Sequence, residues 1–218
     1  MSRPQIKICG LTDIKQAVNC ALAGADAIGL VFFKKSPRNI SEDLAAEISK
    51  ALPENKTAVG VFVNESFDFI MNKVKKCSLD AVQLHGNEKP ELVKQLRAEN
   101  IHVIKALYMK SEPFIRNADL YEASSLLIEC SKGVLPGGNA LTWNFSEVKN
   151  IRTDKPLIIA GGLSPLNIYE AIKSAIPDAV DVSSGVESTP GTKDINKAKS
   201  FIKIVSACQI EKPLRRIF

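Results

Sequence analysis

Apolar residues recur along this chain in two alternating rhythms. Runs of five to seven residues rich in Val, Ile and Ala are followed by longer stretches in which apolar positions return every three or four residues. The first rhythm is that of a buried strand and the second that of an amphipathic helix. The strand candidates are Gln5-Cys9, Ala27-Phe33, Ala58-Val63, Asp80-His85, Ile101-Leu107, Ser124-Glu129, Pro156-Ala160 and Ala179-Ser183. Helix candidates lie between them, among them Thr12-Ala23 and Ser41-Leu52, the latter with Ser41 in place to cap it. No Gly/Ser-rich or Pro-rich linker interrupts the alternation, so residues 1–218 are expected to form one domain.

Eight such units share 218 residues at about 27 each, which suits the small end of the closed parallel barrel. The rival is a doubly wound open sheet. Its dinucleotide signature is missing, because the first strand runs into Cys9-Gly10-Leu11-Thr12 rather than a GxGxxG turn. The predicted fold is α/β, a single (β/α)8 TIM barrel.

Alternation within the strands predicts which side chains enter the barrel, since the outward face must be apolar against the helices. Placing the polar residues inward puts Lys7 with Cys9, Gln83 with His85, Asp181 with Ser183, and Lys105 and Glu129 each alone. All stand at or near the C-terminal ends of their strands, where this fold carries its active sites.

Composition then excludes several classes of function. The net charge of +5 is modest and the lysines are spread along the chain, so nucleic acid is not an expected partner, while an anionic small molecule would be attracted. Five scattered cysteines without a CxxC pair, and only two histidines, suggest neither a disulfide framework nor a metal site. The longest apolar run, Ala27-Phe33, is too short to span a bilayer, and the first residues have no signal-like apolar stretch. A cytoplasmic protein without membrane attachment or an obligate protein partner is expected. The basic tail, Lys212 to Arg216, reads as a solvated chain end.

Two glycine-containing loops give the most local chemical signal. Ala160-Gly161-Gly162-Leu163 after the seventh strand and Ser183-Ser184-Gly185 after the eighth bring backbone amides, and in the second case hydroxyls, close to a ligand. Those are the usual phosphate loops of such barrels. Cys9 is either a small buried hydrophobe or a reactive thiol whose thiolate Lys7 favours. Glu129 is either an acid/base group or the partner of Lys7 or Lys105. Arg38, after the second strand, is either a solvated loop residue or a bidentate carboxylate binder. Gln83 and His85 either bind a polar substrate or satisfy each other.

The ordered set of pieces resembles one family, phosphoribosylanthranilate isomerase. They are Lys7 through Thr12, Gly24 through Gly29, Ser36 through Ser41, Val59 through Asn64, Val82 through Gly86, Gly161-Gly162-Leu163 and Asp181 through Glu187. The resemblance implies a cofactor-free Amadori rearrangement of N-(5-phosphoribosyl)anthranilate in tryptophan biosynthesis. Cys9 matches the family's general base and Arg38 the arginine that takes the anthranilate carboxylate. Gly161, Gly162, Ser183, Ser184 and Gly185 match its phosphate loops, and Gln83, His85 and Asp181 complete the expected substrate-binding set. At the sixth strand the family usually carries aspartate as general acid, where this chain has Glu129. The following segment keeps Gly137-Gly138 but lacks the usual Gly-Lys and Asp-Trp before Phe145. Besides the active isomerase, two readings stay open: a barrel that only binds phosphosugars, and a neighbouring activity such as indole-glycerol-phosphate synthase.

Overall fold

The β-branched runs pair in parallel and close on themselves without an edge. The computed structural model describes residues 2–132 and 143–218. Its barrel strands are β1 (Gln5–Cys9), β2 (Ala27–Phe32), β3 (Thr57–Phe62), β4 (Ala81–Leu84), β5 (His102–Tyr108), β6 (Ser125–Glu129), β7 (Leu157–Ile159) and β8 (Ala179–Val182), and β8 returns to pair with β1. Each lies within one residue of its predicted bounds. A short antiparallel hairpin, β9 (Glu187–Thr189) with β10 (Thr192–Lys193), follows β8.

Among the described residues six α-helices pack outside: α1 (Ile14–Leu22), α2 (Glu42–Ala51), α3 (Phe67–Lys76), α4 (Pro90–Ala98), α5 (Ile168–Ala175) and α6 (Ile195–Ala207). Ser41 caps α2 as expected, and Asp13, Ser66 and Asp194 likewise accept first-turn amides of α1, α3 and α6. The expectation of an α-helix in every unit fails after β5, where a 3-10 stretch forms, Ile115–Leu120, and the described residues after β6 likewise form a 3-10 stretch, Phe145–Asn150. Pro113, with no amide hydrogen to donate, stops the first from extending back toward β5 as an α-helix.

The core has two layers. Ile6, Ile8, Leu30, Val103, Leu107 and Ile128 pack toward the helices, whereas Ala27, Val59, Ala81, Ile104, Leu127 and Ala179 fill the barrel. This parity overturns one expectation. Lys105 lies between Ile104 and Ala106 of the inner layer, so it faces the helices; its inward neighbour at the mouth is Tyr108. Fully buried there, Lys105 donates to the carbonyls of Leu84 and Gly86 and to Glu88 Oε2 at 2.8 Å. It braces the loop after β4 from outside.

The tail also departs from its reading as a solvated end. Arg215 pairs with Asp178, and Ile217 and Phe218 join the lower barrel cluster, 7% and 9% exposed. The Gln5 side chain accepts from both their amides and donates to the Phe218 carbonyl at 2.7 Å. Small side chains at Ala27, Ala81 and Ala179 leave room that the tail fills. Two apolar side chains of this size contribute about 3–5 kcal/mol when buried. A chain ending at Arg216 should therefore show a lower urea midpoint corresponding to a loss of that order, with its mouth unaffected. An unchanged midpoint would mean that the tail does not dock in solution.

Candidate active site

The C-terminal ends of the strands open into a cleft of about 670 Å³, part of it open solvent. Cys9, Arg38, Gln83, His85, Glu129, Gly161, Gly162, Asp181, Ser183 and Ser184 all line it. Gly185 stands behind them, where a Cβ would run into the Leu163 carbonyl, so the loops after β7 and β8 touch only because residue 185 lacks a side chain. Gly161 and Gly162 have φ of 83° and 68°, a left-handed backbone that favours glycine. Among the described residues their amides donate to no backbone acceptor, as an anion cradle requires. Asn167 Nδ2 ties the Gly162 carbonyl at 2.8 Å, and Trp143 Nε1 ties that of Ala160 at 3.0 Å. The family departures at 136–142 lie outside the described residues.

Below the cleft, Lys7 pairs with Asp181 at 3.0 Å, almost wholly shielded from water. Asp181 is therefore engaged by Lys7 as well as lining the cleft. Cys9 lies above this pair and over Gly29, where an added Cβ would come within 2.7 Å of its sulfur. Burial pushes the Cys9 thiol up from its ordinary value, and Lys7 and Lys193 offset this only in part. The expected pull of Lys7 toward thiolate is present, but burial outweighs it and Asp181 opposes it.

Lys7 pairs with Asp181 and Lys105 with Glu88, so neither is the partner of Glu129. Its neighbour is His85, whose Nε2 is 3.5 Å from Glu129 Oε2, while His85 Nδ1 meets Gln83 Nε2 at 2.7 Å. Among the described residues Gln83 Oε1 and His85 Nε2 are buried without a hydrogen-bond partner, polar capacity of the kind a ligand at the cleft could use. Tyr108, missed because the inward phase of β5 was misassigned, donates to the His85 carbonyl at 3.3 Å. Arg38 is also paired rather than solvated. Its Nε and Nη2 donate to Glu187 at 2.8 and 2.7 Å, and Lys193 donates to the same carboxylate at 2.6 Å. Glu187 appeared in a sequence motif, but nothing local in the sequence pointed to its partner. Val31, Phe33, Val61 and Val63 form an apolar wall of the cleft, also unforeseen.

A closed parallel barrel with buried ionisable groups and an amide cradle at its C-terminal mouth defines a (β/α)8-barrel enzyme. The family model described as N-(5'-phosphoribosyl)anthranilate (PRA) isomerase matches residues 6–204. A protein named N-(5'-phosphoribosyl)anthranilate isomerase from Desulfatibacillum aliphaticivorans is 47% identical over 98% of both chains. Phosphoribosyl anthranilate isomerase from Thermotoga maritima, a solved structure, is 39% identical with a TM-score of 0.84, covering 94% of this chain and 100% of its own. A solved phosphoribosyl anthranilate isomerase in complex with reduced 1-(o-carboxyphenylamino)-1-deoxyribulose 5-phosphate is 38% identical with a TM-score of 0.81, over 94% and 100% of the two chains. The chain belongs to the phosphoribosylanthranilate isomerase family, and is an isomerase of tryptophan biosynthesis. Among the described residues no helix is long and apolar enough to cross a membrane.

The raised Cys9 value has a direct consequence in the ligand-free protein. Peptide-resolved mass spectrometry of iodoacetamide alkylation between about pH 6 and 10 should give a Cys9 midpoint above the free-thiol value of about 8.5. Lys7→Met should move it higher still. A rate already at its plateau at neutral pH would contradict the dominance of burial.

Proposed function

We propose that this cleft isomerises N-(5'-phosphoribosyl)anthranilate with Glu129 as general acid and Cys9 as general base. Glu129 protonates the furanose ring oxygen, and the C1–O bond breaks to give an open-chain protonated Schiff base. Cys9 as thiolate then removes the C2 proton, and the electron pair moves into the C1–C2 bond to form the enolamine. Tautomerisation to the ketone gives 1-(2-carboxyphenylamino)-1-deoxyribulose 5-phosphate, with all atoms conserved and no cofactor required. A cationic Schiff base beside Cys9 would also counter the burial that otherwise disfavours the thiolate.

The observation that carries this reading is the single cleft lined by both groups, the glycine loops and Arg38. The loops supply amides for the phosphate, Arg38 a cation for the anthranilate carboxylate, and Val31, Phe33, Val61 and Val63 an apolar surface for the aromatic ring. The ligand named with the solved relative carries the same phosphate, aryl carboxylate and sugar chain. Fixing it at both ends leaves C1 and C2 between the acid and the base. Gln83 Oε1 and His85 Nε2 suit hydrogen bonding to the sugar hydroxyls.

Conversion is followed by the fall in fluorescence of freshly prepared phosphoribosylanthranilate. Cys9→Ala and Glu129→Gln should each lower turnover by about 10²- to 10⁴-fold with circular dichroism unchanged. Glu129→Asp, which withdraws the carboxyl by one methylene, should cost up to about a hundredfold. Full turnover in a folded Glu129→Gln protein would remove Glu129 from the acid's role. Tight binding by the unaltered protein without fluorescence decay would favour a barrel that binds and does not catalyse.

A further inference from the structure

Arg38 does not reach the cleft as a free side chain. One edge of its guanidinium, Nε and Nη2, is taken by both oxygens of Glu187, and its side chain is only 11% exposed. Among the described residues Nη1 donates to no acceptor. Arg38 lines the cleft, so the donors left over are those available to a ligand there. We propose that Glu187 is a positioning residue for substrate: by gripping the Nε–Nη2 edge it aims the remaining donors of Arg38 at the aryl carboxylate. The proposal rests on the reading that Arg38 binds that carboxylate.

The surroundings of Glu187 are built to hold it still. It lies opposite Lys193 in the β9–β10 hairpin, whose Gly191 turn has a φ of 86° and fits against the Pro37 carbonyl, 2.8 Å from where a Cβ would stand. Thr12 Oγ1 donates to the Gly191 carbonyl at 2.6 Å, and Lys197 Nζ to the Glu187 carbonyl at 2.9 Å. The stem of Arg38 in turn crosses Gly10, where any Cβ would collide with Arg38 Cδ. Three chain segments thus converge to set one guanidinium.

Charge supports the same conclusion. Glu187 meets two basic side chains, Arg38 and Lys193, with a single carboxylate, and burial disfavours the charge on Lys193 more than that on Arg38, whose value is raised. Without the carboxylate the two cations would repel each other across a site shielded from water. Lys193 reaches onward to the carbonyl and Oγ of Ser183, at 3.2 and 3.3 Å, and Ser183 Oγ donates to the Cys9 carbonyl at 2.9 Å. Lys193 is thus anchored by Ser183 independently of Glu187, which gives Glu187 a fixed cation to rest against.

The test compares two probes, reduced 1-(o-carboxyphenylamino)-1-deoxyribulose 5-phosphate and its counterpart lacking the carboxyl group, by calorimetry on the full chain. The unaltered protein should prefer the carboxylated probe by about ten- to a hundredfold, the worth of a charge-assisted pair. Glu187→Gln should remove most of that preference while binding of the other probe stays within about threefold. In turnover, KM should rise about tenfold and kcat change less than about threefold, as expected when ground-state and transition-state binding are lost together. If both probes weaken equally, or the preference survives, the positioning role is overturned. Arg38→Met separates the two levels. Preference lost there but kept in Glu187→Gln rejects only the positioning role, whereas preference kept in Arg38→Met rejects the carboxylate reading beneath it. Should Glu187→Gln fail to fold, Glu187→Asp is judged on the same ratio. Its carboxylate is withdrawn by one methylene and no longer reaches the guanidinium from the same backbone position, so a reduced preference is expected and an unchanged one overturns the role.

Discussion

Lys7 and Asp181 meet at 3.0 Å across the seam where β8 closes against β1, directly opposite each other in the strand register. Both are nearly cut off from water, and a charge in such a place is tolerable only with its partner. Asp181 holds Lys7 protonated, its value raised despite the strong opposing effect of burial. The pair separates two interiors. Below it lies an apolar plug completed by Ile217 and Phe218, and above it the cleft in which Cys9 stands. Removing one partner would leave an uncompensated buried charge at the floor of the site, a change that typically costs about 3–5 kcal/mol.

The mouth repeats this pattern of compensated charge with different consequences. Arg38 and Lys193 share Glu187, whose carboxyl is held below its ordinary value by them against the cost of burial. Among the described residues the ionisable partner recorded for Glu129 is His85. The Arg38–Glu187–Lys193 cluster is closed by short charge-assisted contacts, whereas His85 and Glu129 stand 3.5 Å apart. Lys105 shows the same chemistry put to structural use, since its fully buried ammonium is spent on Glu88 and two carbonyls of the loop that presents His85. Glu88 in turn accepts from the Gly86 and Asn64 amides at 2.9 Å, joining the ends of β3 and β4. Such an arrangement limits the freedom of the loop next to the site without contributing a group to it.

The strands were legible because β-branched runs bounded by turn residues have few other ways to be buried, and the start of α2 because the Ser41 cap acts over three residues. The site was legible in outline for the same reason: alternation is local, and it sends Cys9, Gln83, His85, Glu129 and Asp181 to one end of one interior. Where apolar residues occupy both phases, alternation loses its force. In β5, Val103, Ile104, Ala106 and Leu107 leave either face acceptable, so a one-residue shift in phase sent Lys105 inward and hid Tyr108.

What the sequence determined by itself, then, was the barrel, the end of it that matters, and the residue types gathered there, because these follow from periodicity and from chemistry close along the chain. Tertiary structure alone decided who pairs with whom. Arg38 and Glu187 are 149 positions apart, Lys7 and Asp181 174, and Gln5 and Phe218 213. A charge carries no mark of its partner until closure of the barrel removes the water that would otherwise satisfy it. Burial then ranks the competing effects: it keeps the Cys9 thiol raised in spite of Lys7, and it turns a basic tail into a fixed part of the barrel floor.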